Sequence, residues 1–182
     1  MERTFNTLDF EHFDAVAADE KWAVEYRQPR CPAVRILIDG RDLNEMIVEA
    51  EARFKGEPPR NPDDEYGHES ARSLLKELKP SEGWEDEKDY WLELNCCSEC
   101  GSTGCWGVTA YWVERPGEVV WHHFEHAHRD YPYDFAFHFE KTAYEAAIGK
   151  LEAFAHEEEL FYAALEKERN QGGAKEGTEP RD

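Results

Sequence analysis

Positive charge is scarce in this chain. Its 182 residues hold 21 lysines and arginines against 41 aspartates and glutamates, a formal net charge of −20. Such a balance repels phosphate backbones and anionic lipid heads, which argues against direct binding to nucleic acid or a membrane surface. Long hydrophobic runs are missing as well. The opening MERTFNTLDFEHF has no apolar stretch of signal-peptide length, and no run approaches membrane-spanning length, so a cytoplasmic location is expected. Cysteine is limited to five. An odd count does not close into a full disulfide framework, and in a reducing compartment clustered thiols serve more often as metal ligands or redox groups. No internal repeat is present.

The 40% hydrophobic content suffices for one core, which predicts a single globular domain over 1–169. The tail 170–182, with no large apolar side chain, is expected to be disordered. Phe5, Leu8, Phe10, Phe13 and Val16 recur at roughly helical spacing and predict a peripheral helix. Segments 21–27 and 32–40 alternate as strands, the second ending in a turn at Asp39-Gly40. Asp42 followed by Glu45 is a capping-box signature, and Leu43, Met46, Ile47, Ala50 and Phe54 fall on one face of the helix it opens. Residues 55–69 read as an exposed loop and 70–80 as a short helix stopped by Pro80. From Asp89 onward four aromatic-rich stretches separated by turn residues predict strands. Their bulky rings (Trp106, Trp112, Trp121, Phe124, Phe135 and Phe137) fit core packing better than a ligand platform. Thr142 with Glu145 opens a long helix whose apolar stripe is interrupted near 156–159. The fold class is therefore α+β, a mainly antiparallel sheet packed against a long C-terminal helix and a shorter N-terminal one.

Four of the five cysteines fall within ten residues, in NCCSECGSTGCWGV from Asn95. Zinc takes four tetrahedral ligands from thiolates and imidazoles, and structural sites draw a pair from a tight knuckle. Cys97-x2-Cys100 has that spacing, and Cys105 follows after Gly101 and Gly104, which let a backbone curl around an ion. A fourth ligand follows from register. If Pro116-Gly117 turns a hairpin, Arg115 faces Glu118, Val113 faces Val120, Tyr111 faces His122 and Cys105 faces His128. His126 and His122 then share the face of Cys105, and His123 lies on the other. The expected metal set is Cys97, Cys100, Cys105 and His128, with His126 as substitute for the imidazole and Cys96 as replacement for Cys97. The competing readings are separately packed thiols and imidazoles, and a CSEC redox pair. The redox pair would need a helix N-terminus in a βαβ context, whereas a glycine turn and a strand follow here. Cys31, isolated before Pro32, reads as a packed thiol.

The stretch from Cys97 to Phe139 resembles a family of uncharacterised bacterial proteins marked by a C-x-C-G-x-x-G-C-W knuckle, a V-x-W-x-x-F strand, a P-H-R segment and a helix opening F-x-x-x-x-Y-E. The matching residues are Cys100 to Trp106, Val119 to Phe124, Ala127-His128-Arg129, and Phe139 leading to Tyr144-Glu145. RILIDGRDLNEMIVEAE is similar to that family's opening strand and helix. Two residues separate Cys97 from Cys100, and Ala127 replaces the proline. The resemblance implies a bacterial, intracellular protein and adds weight to Cys100, Cys105 and His128; it carries no activity.

A thiolate-rich ligand set is the usual pattern of a structural zinc. The expected function is thus a non-enzymatic acidic protein-binding module with a zinc knuckle, of immunity or inhibitor type, whose partner is a basic protein drawn by charge. The alternatives are a metal-dependent hydrolase using the same cluster with Glu125 or Glu99 as base, and a scaffold subunit acting through the C-terminal helix.

Overall fold

The computed structural model describes residues 4–16, 30–79 and 89–173. Strands β1 (Leu8–Val16), β2 (Arg30–Ile38) and β3 (Arg41–Asp42) form one antiparallel sheet. Helices α1 (Leu43–Lys55), α2 (Pro62–Glu65) and α3 (Ala71–Leu78) follow, with the two-residue strand β4 (Tyr66–Gly67) between the last two. β4 pairs with β6 (Cys96–Cys97). A four-stranded antiparallel sheet runs in the order β5 (Asp89–Glu93), β7 (Val108–Arg115), β8 (Glu118–His126), β9 (Phe137–Glu140), and a one-turn helix α4 (Thr103–Trp106) precedes β7. Helix α5 (Lys141–Gly173) closes the chain. The fold is α+β, as expected from the sequence.

The segment expected to be a peripheral helix is instead β1, paired residue for residue with β2 from Leu8↔Ile38 to Val16↔Arg30. Between the apolar residues stand Asp9 and Glu11, both exposed, while Phe10 is fully buried. That period-2 pattern fits a strand, and the hydrogen bonds of β2 settle it. The strand expected over 21–27 lies outside the described residues, as do residues 174–182 of the expected tail; α5 itself continues to Gly173.

The face of α1 is also rotated from expectation. Leu43, Asn44, Ile47, Val48, Glu51 and Ala52 are buried, and Phe54 is exposed. Two polar residues go inward because each finds partners. Asn95 Nδ2 donates to Asn44 Oδ1 at 2.9 Å, while Asn95 Oδ1 accepts from Val108 N at 2.7 Å. Glu51 accepts from two tyrosine hydroxyls. Asp42 caps α1 by accepting from Asn44 N at 2.8 Å. At α5 the cap is Glu140, which accepts from Ala143 N at 2.9 Å, in place of the expected Thr142.

The core runs continuously from Phe10 to Ala155 and draws on all three sheets. Trp112, Trp121, Phe124 and Phe137 are buried in it, with Trp106 and Phe135 packed at its margin. Tyr144 of α5 joins helix to sheet, its hydroxyl accepting from Trp112 Nε1 at 3.2 Å. The interruption of the α5 stripe is itself used. Glu158 is fully buried and accepts from Ala71 N and Arg72 N at the start of α3. Among the described residues no helix is long and apolar enough to cross a membrane.

Candidate metal centre

The knuckle begins on β6, where neighbouring side chains point to opposite faces. Cys96 turns inward, 5% exposed, with its Sγ 3.8 Å from the His68 carbonyl oxygen. It also presses on β4, since a Cβ at Gly67 would stand 2.7 Å from that sulfur. Burial, reinforced by Glu69, pushes the Cys96 thiol far above its ordinary range. The expectation of Cys96 as a replacement ligand is therefore corrected: strand alternation aims it away from the knuckle, and Cys97 takes the position.

Beyond Cys97 the chain folds back on itself. Gly101 N donates to the Cys97 carbonyl at 2.9 Å, with Gly101 at φ +70°, and Cys97 N donates to the Ser102 carbonyl at 3.1 Å. The left-handed turn favours glycine, which has no Cβ to clash. Ser98 Oγ donates to the Asp64 carbonyl at 2.8 Å, fastening the knuckle to α2. α4 then lifts Cys105 back toward the first two cysteines. The sulfurs of Cys97, Cys100 and Cys105 lie within 4.8 Å of one another. Thiolates at about 2.3 Å around a tetrahedral zinc stand about 3.8 Å apart, a spacing that falls within this limit.

Electrostatics separates the three thiols. Burial disfavours a Cys97 thiolate, yet the backbone N–H groups of Cys100 and Glu99 and the neighbouring thiols hold its pKa below the ordinary value. Cys105 goes the other way. Sharing its proton first with Cys100 and then with Cys97 raises it to about 11. Cys97 thus ionises more readily than an ordinary thiol and Cys105 less readily, and a soft cation bound among the sulfurs would displace their protons. The three-cysteine cluster is one that can hold a metal ion.

His128 does not belong to this group, and neither does His126. The expected hairpin register holds at Arg115↔Glu118, Val113↔Val120 and Tyr111↔His122, then shifts by one residue, so that Thr109 faces Glu125 and Val108 faces His126. The extra residue sits on β8 beside His123, whose φ is +50°. β8 ends at His126, and Cys105 stands in α4 rather than on β7. Sequence alternation carries no information about a bulge, which is why the extrapolation from Cys105 to His128 fails. The His128 ring packs beside Trp106, 6.2 Å between centroids. Glu99 and Glu125 are exposed.

A second group was not anticipated. Glu51 Oε1 accepts from the Tyr66 hydroxyl and from the Tyr133 hydroxyl at 2.6 Å, and Glu51 Oε2 lies 3.8 Å from Arg129 Nη1. Burial and the adjacent carboxylate push both phenols far up, which keeps them protonated donors. The sequence signal was a glutamate at 51 in helical step with Ile47 and Val48, a polar residue on an apolar face. Tyr66, fully buried, came from a stretch expected to be an exposed loop.

Comparison with protein-family models, with curated proteins and with solved structures finds no match.

Proposed function

We propose that this chain is a non-enzymatic acidic binding module whose cysteine knuckle carries a structural zinc, and that its partner is a basic protein held in an immunity- or inhibitor-type pairing. The convergence of three sulfurs at an exposed rim carries the reading: Cys97 is buried, while Cys100 and Cys105 face solvent. A cation at this point ties β6 and α4 together and so fixes the rim that follows α2. The thiolates of Cys97, Cys100 and Cys105 supply three ligands and water the fourth.

The open fourth position is what favours the hydrolase reading, but two features count against it. The cleft beside β8, bounded by Phe54, Phe124 and Tyr133, includes none of the three cysteines. Both carboxylates nominated as bases are exposed rather than set over the cluster. The formal charge of −20 supports salt-dependent attraction of a cationic surface.

Elemental analysis of purified protein is expected to give one zinc per chain, lost in Cys105→Ser. Affinity capture from the native host is expected to retain a basic protein at about 50 mM salt and release it at about 500 mM, where the Debye length falls to about 4 Å and all but the closest charge pairs are screened. Absence of metal in the parent protein overturns the zinc assignment. Capture of nothing basic at either salt overturns the partner assignment, and hydrolysis by the zinc-loaded protein that vanishes in Cys105→Ser replaces it with the enzyme reading.

A further inference from the structure

Strand β8 breaks its own alternation near its middle. Trp121 and Phe124 are both buried in the core, 0% and 4% exposed, although they stand three positions apart. On a regular strand one of them would face outward. The bulge accounts for the difference. Tyr111 of β7 faces His122 and Thr109 faces Glu125, so His123 and Phe124 together stand opposite Ala110 alone. The two residues between the buried rings are thus both turned away from the core, His122 half-buried and His123 exposed. Their Nδ1 atoms stand 2.5 Å apart.

Two imidazoles so placed cannot both carry a proton on Nδ1. One nitrogen donates and the other accepts, and a single proton occupies the point where two lone pairs converge. The backbone is strained to achieve this. His123 holds φ +50°, a left-handed conformation uncommon for a residue with a Cβ. Such strain persists only where the surrounding structure imposes it, and it gathers at ligand-binding and active sites. Here the pairing with β7 imposes it from one side and the burial of Trp121 and Phe124 from the other. Tyr111 steadies the first ring, meeting His122 edge-on at 5.4 Å between centroids.

We propose that His122 and His123 form a two-imidazole site for a divalent late first-row transition-metal ion, with both Nδ1 atoms as ligands and water in the remaining positions. Imidazole nitrogen suits nickel, copper and zinc, whereas magnesium and calcium take oxygen. Bonds of about 2.0–2.1 Å to a tetrahedral or square-planar ion set neighbouring nitrogens about 2.9–3.4 Å apart. The ion therefore takes the place of the shared proton while the exposed His123 ring swings outward by less than about 1 Å. Among the described residues no third histidine, cysteine, aspartate or glutamate offers an atom within 4.8 Å of both nitrogens, which limits the protein ligands to two. Arg115 acts on His122 as a positive neighbour, but Glu118 offsets it at 3.8 Å. The formal charge of −20 favours a cation at the surface. This site lies outside the three-cysteine cluster and does not rest on the reading of that cluster.

The test is a titration of the full-length protein with Ni²⁺, whose paramagnetism broadens the ring it binds, followed by NMR of the histidine side chains. The reference is His156, an imidazole on α5 that is 71% exposed and has Glu159 rather than a second imidazole near it. The His122 and His123 signals are expected to broaden together and to saturate at Ni²⁺ concentrations at least about tenfold below those that affect His156. Mg²⁺ is expected to shift neither ring up to about 10 mM. His123→Asn, which a left-handed backbone tolerates, is expected to weaken the response at His122 by at least about tenfold, a loss of roughly 1.4 kcal/mol. His122→Asn, read at His123, is the second variant. Broadening of the pair only in step with His156, saturable shifts with Mg²⁺ in the Ni²⁺ range, or an unchanged response in either variant overturns the proposal and leaves a hydrogen-bonded pair. The Ni²⁺ and Mg²⁺ titrations use the unaltered protein and stand even where a variant does not fold.

Discussion

The carboxylate of Glu158, midway along α5, accepts from Ala71 N at 2.7 Å and Arg72 N at 3.2 Å, so a residue 87 positions later caps the first turn of α3. Ser70 covers the next donor, accepting from Ser73 N at 3.1 Å. The amide groups that a helix start leaves without partners are thus satisfied from two directions. Glu158→Ala is expected to lower stability by about 1–3 kcal/mol, the range for stranding buried donors. Glu158→Gln, which keeps an acceptor oxygen, is expected to lose less. Urea unfolding of both variants checks the order.

Asp39 binds the lead-in to β1. Its carboxylate accepts from Thr7 N and Asn6 Nδ2, both at 2.7 Å. Partial burial opposes ionisation, but these donors together with the Thr7 hydroxyl hold its pKa below the ordinary aspartate value. The native state therefore favours the charged form more than the unfolded chain does. That stability is present above the ordinary aspartate range and is lost as pH falls through the lower native value. Asp39→Asn is expected to cost about 1 kcal/mol at pH 7, a figure kept small by exposure to solvent. The gap between parent and variant is expected to close below about pH 4. Unfolding curves at pH 7, 5 and 3 measure it, and a gap that widens in acid contradicts the assignment.

Gly67 faces Cys96 across the β4–β6 pair, with room for no Cβ. Gly67→Ala is expected to destabilise by about 1–3 kcal/mol through overpacking. Adding Cys96→Ala is expected to recover part of the loss. The recovery is incomplete because the Cys97 carbonyl oxygen lies 3.1 Å from the same added atom. A double-mutant cycle by thermal unfolding reads the coupling.

Metal removal gives the sharpest contrast among the thiols. Chelation of the zinc-loaded protein is expected to lower Tm by about 5–10 °C, as a loss of about 2–3 kcal/mol would do in a domain of this size. Cys105→Ser is expected to start from the lower value and not respond to chelator. Cys31→Ser, outside the cluster, is expected to leave both the metal content and the chelator response intact. Equal behaviour of the two serine variants would detach stability from the cluster.

Much of this was legible in the sequence because it is local. The turn at Asp39-Gly40, the cap at Asp42, the hairpin at Pro116-Gly117 and the spacing of Cys97, Cys100 and Cys105 are set by residues within a few positions of each other, where turn chemistry and knuckle geometry decide. The β1 alternation was legible too, but its apolar positions also satisfied a helical spacing over so short a stretch. Only pairing with β2 selected the strand.

The sequence by itself determined an acidic α+β chain with a thiol knuckle at one rim, because composition and short-range spacing act before any distant contact forms. The tertiary structure alone decided which partners meet. One extra residue at His123 moved β8 out of the register that would have carried His128 to Cys105. The buried pairings of Glu51 with Tyr66 and Tyr133, and of Glu158 with α3, join segments from 15 to 87 residues apart. Such contacts depend on how helices and sheets pack, and a polar residue on an apolar face reveals its partner only once that packing is known.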